Sequence, residues 1–179
     1  MATISMSTNS ASTSNNGGTG NKQLRGSLVT LQNDIDLADA ILQNGGTALA
    51  ANDIIEAIAV PANTMILYAG FKVVTAMAGT TTDSEFHVGI TSTDVDLFAA
   101  SFDLDGASVG AITPPAGLSS GVVANVPAFT ASADTIDVEI QASSGTITGG
   151  IIRVFAVCIL LDEVSQSSSA NEVDRDLLA

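Results

Sequence analysis

The sequence predicts an all-β fold, an antiparallel two-sheet sandwich of the jelly-roll type. Residues 85–91 and 135–141 alternate strictly between apolar and polar side chains, which is typical of antiparallel strands with one solvent-exposed face. About eight short segments of strand character are separated by turns rich in Gly, Pro and Ser, and that number of strands fits a jelly roll. Only 4% of the residues are aromatic, so Val, Ile, Leu, Ala and Thr, which suit pleated sheets, must build the core.

Turn residues support most of the predicted strand ends. Pro61 and Asn63 turn the chain after the second strand, Gly79 follows the third, and Gly145 and Gly150 flank a short segment before the last. The predicted strands are residues 27–33, 53–60, 64–75, 85–91, 101–105, 122–126, 135–141 and 151–161.

Two segments are ambiguous. Residues 34–43 fit either a short helix or a strand followed by a loop. Residues 93–100 are predicted to form a helical turn, with Ser92 or Thr93 as N-cap and two Asp residues in the first turn.

In the strand at residues 64–75, simple alternation predicts that Met65, Leu67, Phe71 and Val73 share one face. Tyr68 and Lys72 then lie on the opposite side, together with Ile66 and Val74.

The last predicted strand, residues 151–161, is apolar on both faces. Only one side of a strand meets the core of a small sandwich, so the second apolar side is a candidate for contact with another subunit. One side is made of Ile152, Val154, Ala156, Cys158 and Leu160. The predicted subunit interface on the other side, where Ile151 also lies, is made of Arg153, Phe155, Val157, Ile159 and Leu161.

The chain has the length of one domain with two tails. Residues 1–24 are mostly Ser, Thr, Asn and Gly and are predicted to be a flexible polar arm. Residues 25–162 are the predicted β-sandwich domain. Residues 163–179 are an acidic C-terminal tail, in which Leu177 and Leu178 offer an anchor for a partner.

The charge argues against nucleic-acid binding. The chain has 19 acidic and 5 basic residues and a formal net charge of −14, whereas phosphate binding needs clusters of Lys and Arg. Neither a signal peptide nor a membrane-spanning helix is recognisable, so a soluble protein made in a reducing cytoplasm is expected. The single Cys158 excludes an internal disulfide and is expected to pack as a small hydrophobic residue.

The sequence predicts that the protein is not an enzyme and needs no cofactor. The single histidine, His87, lies on the polar face of an alternating strand, where an ordinary exposed or interface residue is expected. The nucleophile pattern G-x-S-x-G is absent, and none of the Gly-rich stretches forms a phosphate-binding loop. One His and one Cys are too few for a typical zinc site.

A weak calcium site is the remaining chemical candidate. Asp94 and Asp96, and likewise Asp103 and Asp105, place carboxylates two residues apart. A calcium loop starting at Ser101 fails, because its twelfth position is Ile112, where a bidentate Glu is required. The alternative is that these residues form turns beside Gly106 and start a helical turn.

Three segments carry a resemblance to a known class of proteins: IIEAIAVPANTMILYAGFKVVTA, FHVGITSTDVDLFAASFDLDG and FTASADTIDVEIQASSGTITGGIIRVFAVCILLD. From about Asp53 to Asp162 the chain resembles small structural proteins encoded in the head-morphogenesis regions of tailed bacteriophages. The resemblance implies a jelly-roll or related sandwich that decorates or cements a capsid, commonly as a trimer. The expected partners are further copies of the chain and the major capsid protein, on the capsid exterior of a virion assembled in the host cytoplasm. The resemblance does not indicate which residues attach to the capsid.

Two alternatives stay open. A tail, fibre or host-receptor-binding module of a virion would also be rich in β-strands and oligomeric. A carbohydrate-binding β-sandwich is disfavoured by the lack of an aromatic platform, since the chain has one Tyr and no Trp.

Overall fold

The computed structural model describes residues 3–5, 28–80, 82–113 and 127–161, with the backbone alone for residues 3–5 and 142–144. Most of the described chain is organised as strands. The elements are β1 (Thr3–Ser5), β2 (Leu28–Asp36), α1 (Leu37–Gln43), β3 (Ile54–Val60), β4 (Thr64–Gly79), β5 (Asp83–Ile90), β6 (Asp94–Asp103), β7 (Ala128–Thr130), β8 (Asp134–Ser144) and β9 (Ile147–Leu160).

The strands form two sheets that pack face to face. One sheet has the order β1-β3-β8-β5-β6 and the other has the order β2-β9-β4-β7. The eight strands β2 to β9 pair as nested antiparallel hairpins, first with last: β2 with β9, β3 with β8, β4 with β7, and β5 with β6. This nesting, distributed over two sheets, is the jelly-roll arrangement. The predicted fold class is therefore confirmed.

The core lies between the two sheets and is lined by alternate residues of each strand. On β9 the buried positions are Ile147, Ile152, Val154, Ala156 and Cys158. Burial raises the pKa of the Cys158 thiol to about 11, so this side chain stays a neutral thiol in the core.

An aromatic cluster joins the sheets. Phe71 of β4 meets Phe102 of β6 edge to face, with ring centroids 4.9 Å apart. Phe86 of β5 stands 6.3 Å from Phe71, and such pairs contribute about 0.5–1.5 kcal/mol beyond the area they bury.

The ambiguous segment at residues 34–43 contains the end of a strand followed by a helix. Asp36 ends β2 and caps α1, because its Oδ1 accepts a hydrogen bond from Ala38 N at 2.8 Å. Leu37 and Ala40 are buried on the core side of the helix. Gly45, at a φ of 68°, follows the helix in a left-handed conformation that a glycine adopts without strain.

The predicted helical turn at residues 93–100 is wrong, because residues 94–100 belong to β6. Leu97 and Phe98 are both buried, and the register between β5 and β6 shifts twice along the pair. These irregularities hid the period of two in the sequence. Burial and pairing with β5 outweigh the capping signals, since a helix this short is marginal by itself.

The face predicted for residues 64–75 is also wrong in part. The pairing of β4 with β9 contains an irregularity between Ile66 and Tyr68. As a result Ile66 is buried before it and Phe71 and Val73 are buried after it, although alternation places these residues on opposite faces. A β-bulge adds one residue to a strand and has this effect.

Other predictions lie partly or wholly outside the described residues. The predicted strand at 122–126 and the predicted acidic tail at 163–179 lie outside entirely. Of the predicted polar arm, residues 1–24, only Thr3–Ser5 is described, and it forms β1, a strand that its composition did not predict. In the part of the chain that the structure describes, no helix has both the length and the apolar character that crossing a bilayer requires.

Candidate functional site: the two outer faces of the sandwich

The outer face of the sheet β2-β9-β4-β7, here called the apolar face, carries a row of large apolar residues across all four strands. Leu28 of β2 lies opposite Ile159 of β9, Ile159 lies opposite Met65 of β4, and Met65 lies opposite Phe129 of β7. Leu28 is 64% exposed and Phe129 is 56% exposed. A continuous exposed apolar row of this kind marks a surface suited to association.

The next two rows extend the apolar face towards its middle. Val157 lies opposite Tyr68, and Phe155 lies opposite Gly70. The rings of Tyr68 and Phe155 contact each other at 5.6 Å between centroids, and the Tyr68 hydroxyl donates to the carbonyl of Thr113 at 2.8 Å. A Cβ on Gly70 would stand 2.1 Å from Thr113 Oγ1, so glycine is required at the point where Thr113 packs against β4.

A charged row ends the apolar face. Arg153 lies between Asp34 on β2 and Lys72 on β4. Its Nε and Nη2 donate to the two carboxylate oxygens of Asp34 at 2.6 and 2.8 Å, and these hydrogen bonds hold the pKa of Asp34 below its usual value. This ion pair is exposed, so it fixes the relative positions of the two side chains more than it stabilises the fold.

The structure brings the predicted interface residues together on this surface. Arg153, Phe155, Val157 and Ile159 share the apolar face, and Leu161, 42% exposed, follows directly after β9. The sequence reasoning missed Leu28, Met65, Tyr68 and Phe129, which complete the face from three other strands. Only the register between strands, which is not visible within any one segment, joins them to β9.

The outer face of the sheet β3-β8-β5-β6, here called the acidic face, has a different character. His87 of β5 lies opposite Glu139 of β8, with Nδ1 and Oε2 3.9 Å apart. Both residues are 8% exposed, so His87 lies on the predicted face but is buried there. Burial, reinforced by the nearby Asp96, raises the pKa of Glu139, while His87 opposes this. Among the described residues, neither ring nitrogen of His87 nor Oε2 of Glu139 has a hydrogen-bond partner.

Asp137 lies two residues from Glu139 on the same face and holds the turn after β5. Its Oδ2 accepts hydrogen bonds from the backbone N–H of Thr91, at 3.0 Å, and from the Thr91 hydroxyl. Asp134 accepts a further bond from the Ser92 hydroxyl. Burial raises the pKa of Asp137 despite these donors. The acidic face therefore ties the turn between β5 and β6 to β8.

The carboxylates proposed as a calcium site do not form one group. Asp94 and Asp96 lie at the start of β6, whereas Asp103 lies at its end and Asp105 just beyond. Asp103 Oδ1 accepts from the N–H groups of Asp105 and Gly106 at 3.1 and 3.3 Å, which is the local turn that Asp favours. Over the described ranges, no three His, Cys, Asp or Glu side chains are placed to hold a metal ion.

No family model matches the chain, and no curated protein matches it. Among solved structures, the chain is similar to a chain of the cyanophage Pam1 capsid asymmetric unit, with a TM-score of 0.53 and 13% identity over 76% of this chain and 87% of that chain. It is also similar to a chain of the capsid of Ralstonia phage GP4, with a TM-score of 0.52 and 18% identity over 79% of this chain and 88% of that chain. At these identities the likeness shows the shared fold.

Proposed function

We propose that this chain is a non-enzymatic structural protein of a tailed-phage virion, which forms homotrimers and cements the capsid by binding the outside of the major capsid protein lattice. The observation that carries the proposal is the apolar face, a row of four large apolar residues with two further rows beside it. The two solved structures similar in fold, both named as phage capsids, support the same class of assembly.

Association is the physical consequence of the apolar face. Each Å² of apolar surface removed from water contributes about 25 cal/mol, so covering several large side chains stabilises a subunit contact. A three-fold oligomer uses heterologous contacts, in which this face of one subunit meets a different surface of the next. Lys72, which has no ion pair among the described residues, supplies a cation at the rim that can meet an acidic group of the neighbour.

The single histidine is poorly placed for catalysis. His87 is buried on the acidic face beside Glu139, so a substrate would reach its ring only if the surrounding structure opened. General base catalysis needs hydrogen-bond reach to the reacting group, and this placement supports a structural role.

The predicted domain organisation fits the proposed role. The part of the arm that follows β1 and the tail at residues 163–179 would lie across neighbouring capsomers, where ordering on binding allows a short chain to cover much surface. The net charge of −14 suits a protein displayed outside a shell that holds DNA, after synthesis in the host cytoplasm.

The proposal is tested by the mass of the purified protein and by the heat resistance of particles. Light scattering should give three times the chain mass of 18.0 kDa. Particles that lack the protein should rupture at a lower temperature and regain resistance when the purified protein is added back. Particle images should place it on the head. A monomer that never purifies with particles would contradict the proposal.

A further inference from the structure

The short strand β1 occupies an edge of the sandwich that is otherwise open. β1 pairs in parallel with β3, with Thr3 opposite Ile54, Ile4 opposite Ile55 and Ser5 opposite Glu56. Without β1, β3 would be the edge strand of its sheet. An edge strand presents unpaired N–H and C=O groups, which accept an added strand by β-augmentation.

The connection from β1 to β2 is much longer than the path it has to cover. Because β1 runs parallel to β3, the chain leaves Ser5 towards Val60. Leu28, where β2 starts, lies at that same end, in the row that contains Met65 at the start of β4. β2, the edge strand of one sheet, lies next to β3 of the other sheet, because Asn33 Nδ2 of β2 donates to Ala57 O of β3 at 3.0 Å.

The distances show how much excess length there is. The remaining part of β3 is about 13 Å long and the sheets pack about 10 Å apart, so the ends to be joined are within roughly 20–25 Å of one another. Residues 6–27, if fully extended, would span about 70 Å. This connection, here called the tether, is so much longer than the path that its length does not confine β1 to the β3 edge of its own subunit.

We propose that in the assembled protein the edge of β3 is filled by residues 3–5 of a neighbouring copy, so that subunits exchange their N-terminal strands. This inference rests on the proposed function, because only an oligomer keeps a second β3 edge within the reach of the tether. The exchanged strand makes the same backbone hydrogen bonds as the strand in its own subunit, and it links two chains without any new contact surface. The effective concentration of residues 3–5 at the β3 edge of their own subunit falls as the tether becomes longer. A long tether therefore reduces the preference of β1 for its own subunit over a neighbouring one.

Disulfide trapping between two differently tagged chains tests the exchange. One chain carries Ser5→Cys and the other carries Glu56→Cys, two positions in register, where paired Cα atoms lie within the range that a disulfide spans. After co-expression, purification through both tags and mild oxidation, a disulfide-linked heterodimer is expected on a non-reducing denaturing gel. Two controls should give no such band: Ser5→Cys with Ala59→Cys, which is out of register, and the unsubstituted chain, whose Cys158 is buried.

A chain with both Ser5→Cys and Glu56→Cys, analysed by light scattering before oxidation, separates the outcomes. Covalently linked oligomers support the exchange. Oligomers that yield only internally closed single chains overturn it and leave the proposed function standing, whereas monomers with internal closure overturn both. Absence of any disulfide overturns the exchange as well.

A second variant covers the case in which the cysteine chains fold poorly. Ile4→Pro places a residue that has no N–H group and a fixed φ in the middle of β1, which disfavours strand pairing. If strands are exchanged, the dissociation constant of the oligomer should rise about tenfold while the circular dichroism of the subunit stays unchanged. An unaltered dissociation constant would contradict the exchange.

Discussion

Two valines on β9 should respond differently to the same substitution, one with a loss of fold stability and the other with a loss of association. Val154 is buried in the core, whereas Val157 lies on the apolar face opposite Tyr68. Val154→Asp should cost about 5 kcal/mol or more, because it buries an unpaired carboxylate, and that approaches the whole stability of a typical domain. Val157→Asp should leave the fold intact and weaken the proposed trimer at least about 100-fold. Urea unfolding and light scattering at several concentrations measure the two effects.

The matched control for this pair is Thr30→Asp. Thr30 is the exposed partner of Val157 on β2, so it places the same charge one strand away with little loss of apolar surface. It should weaken the trimer far less than Val157→Asp. If Val157→Asp unfolds the chain as completely as Val154→Asp, the division of β9 into a core face and an association face is wrong.

Glu139 should make the protein less stable at neutral pH than at mildly acidic pH. Burial raises its pKa above the ordinary 4.5, so the folded state holds the proton more tightly than the unfolded state does. The ionised form therefore costs stability once the pH rises above the folded-state pKa, and this cost disappears as the pH falls towards 4.5. Glu139→Gln should raise the unfolding temperature at pH 7, with a difference from the parent that shrinks on acidification.

Thermal unfolding between pH 4 and pH 7 measures this effect. Asp83→Asn serves as the control, because Asp83 is exposed on β5, in the neighbouring strand, and its substitution should change the unfolding temperature little. A Glu139→Gln protein that is less stable than the parent at pH 7 would indicate that the contact with His87 outweighs the burial of the charge.

At the scale of the element, the turn between β5 and β6 depends on the absence of a side chain at Gly89. A Cβ there would stand 2.1 Å from Asp94 O and 2.4 Å from the carbonyl carbon of Val95. Both atoms belong to the backbone, so the hairpin would have to open. Gly89→Ala should cost about 3 kcal/mol in denaturant unfolding.

Gly106→Ala is the matched control for Gly89→Ala, in the turn after β6. The nearest atom to its added Cβ would be the flexible Asp103 Oδ2 at 3.3 Å, so a change within about 0.5 kcal/mol is expected. Equal effects of the two substitutions would show that the close approach at Gly89 is not what holds the hairpin.

The elements that could be predicted are those with an undisturbed period of two. β5 and β8 were located to within a few residues because their inner and outer positions alternate cleanly in the central part of each strand. The predicted strand at 101–105 overlaps only the end of β6, and the first part of β6 is mistaken for a helical turn because its pairing with β5 is irregular. β7 is missed because three residues carry no periodicity. Tertiary pairing, which no local pattern contains, decided both segments.

At the scale of the whole molecule, the sequence predicted one strand of the apolar face and left the other three unassigned. The second apolar side of β9 is visible in its own residues, whereas Leu28 and Phe129 become part of the same surface only through the register of four strands. Similarly, His87 and Glu139 were each assigned to a polar face, but their contact depends on the pairing of β5 with β8. Composition and periodicity therefore predict the sandwich, whereas the register between strands decides which residues lie together on each outer face.

If the proposed trimer forms through the apolar face, salt should strengthen it, because apolar contacts would then join chains that repel each other. Each chain carries a formal charge of −14, and subunits brought into contact repel most strongly when screening is weak. The Debye length falls from about 30 Å at 0.01 M salt to about 8 Å at 0.15 M, so the dissociation constants of the proposed trimer and of its proposed complex with capsids should fall over this range. Nucleic-acid binding has the opposite dependence. Sedimentation or light scattering at the two salt concentrations measures the effect for the trimer, and particle pull-down measures it for the capsid. Weaker association at higher salt would show that ion pairs, such as one made by Lys72, dominate the contact in place of the apolar face.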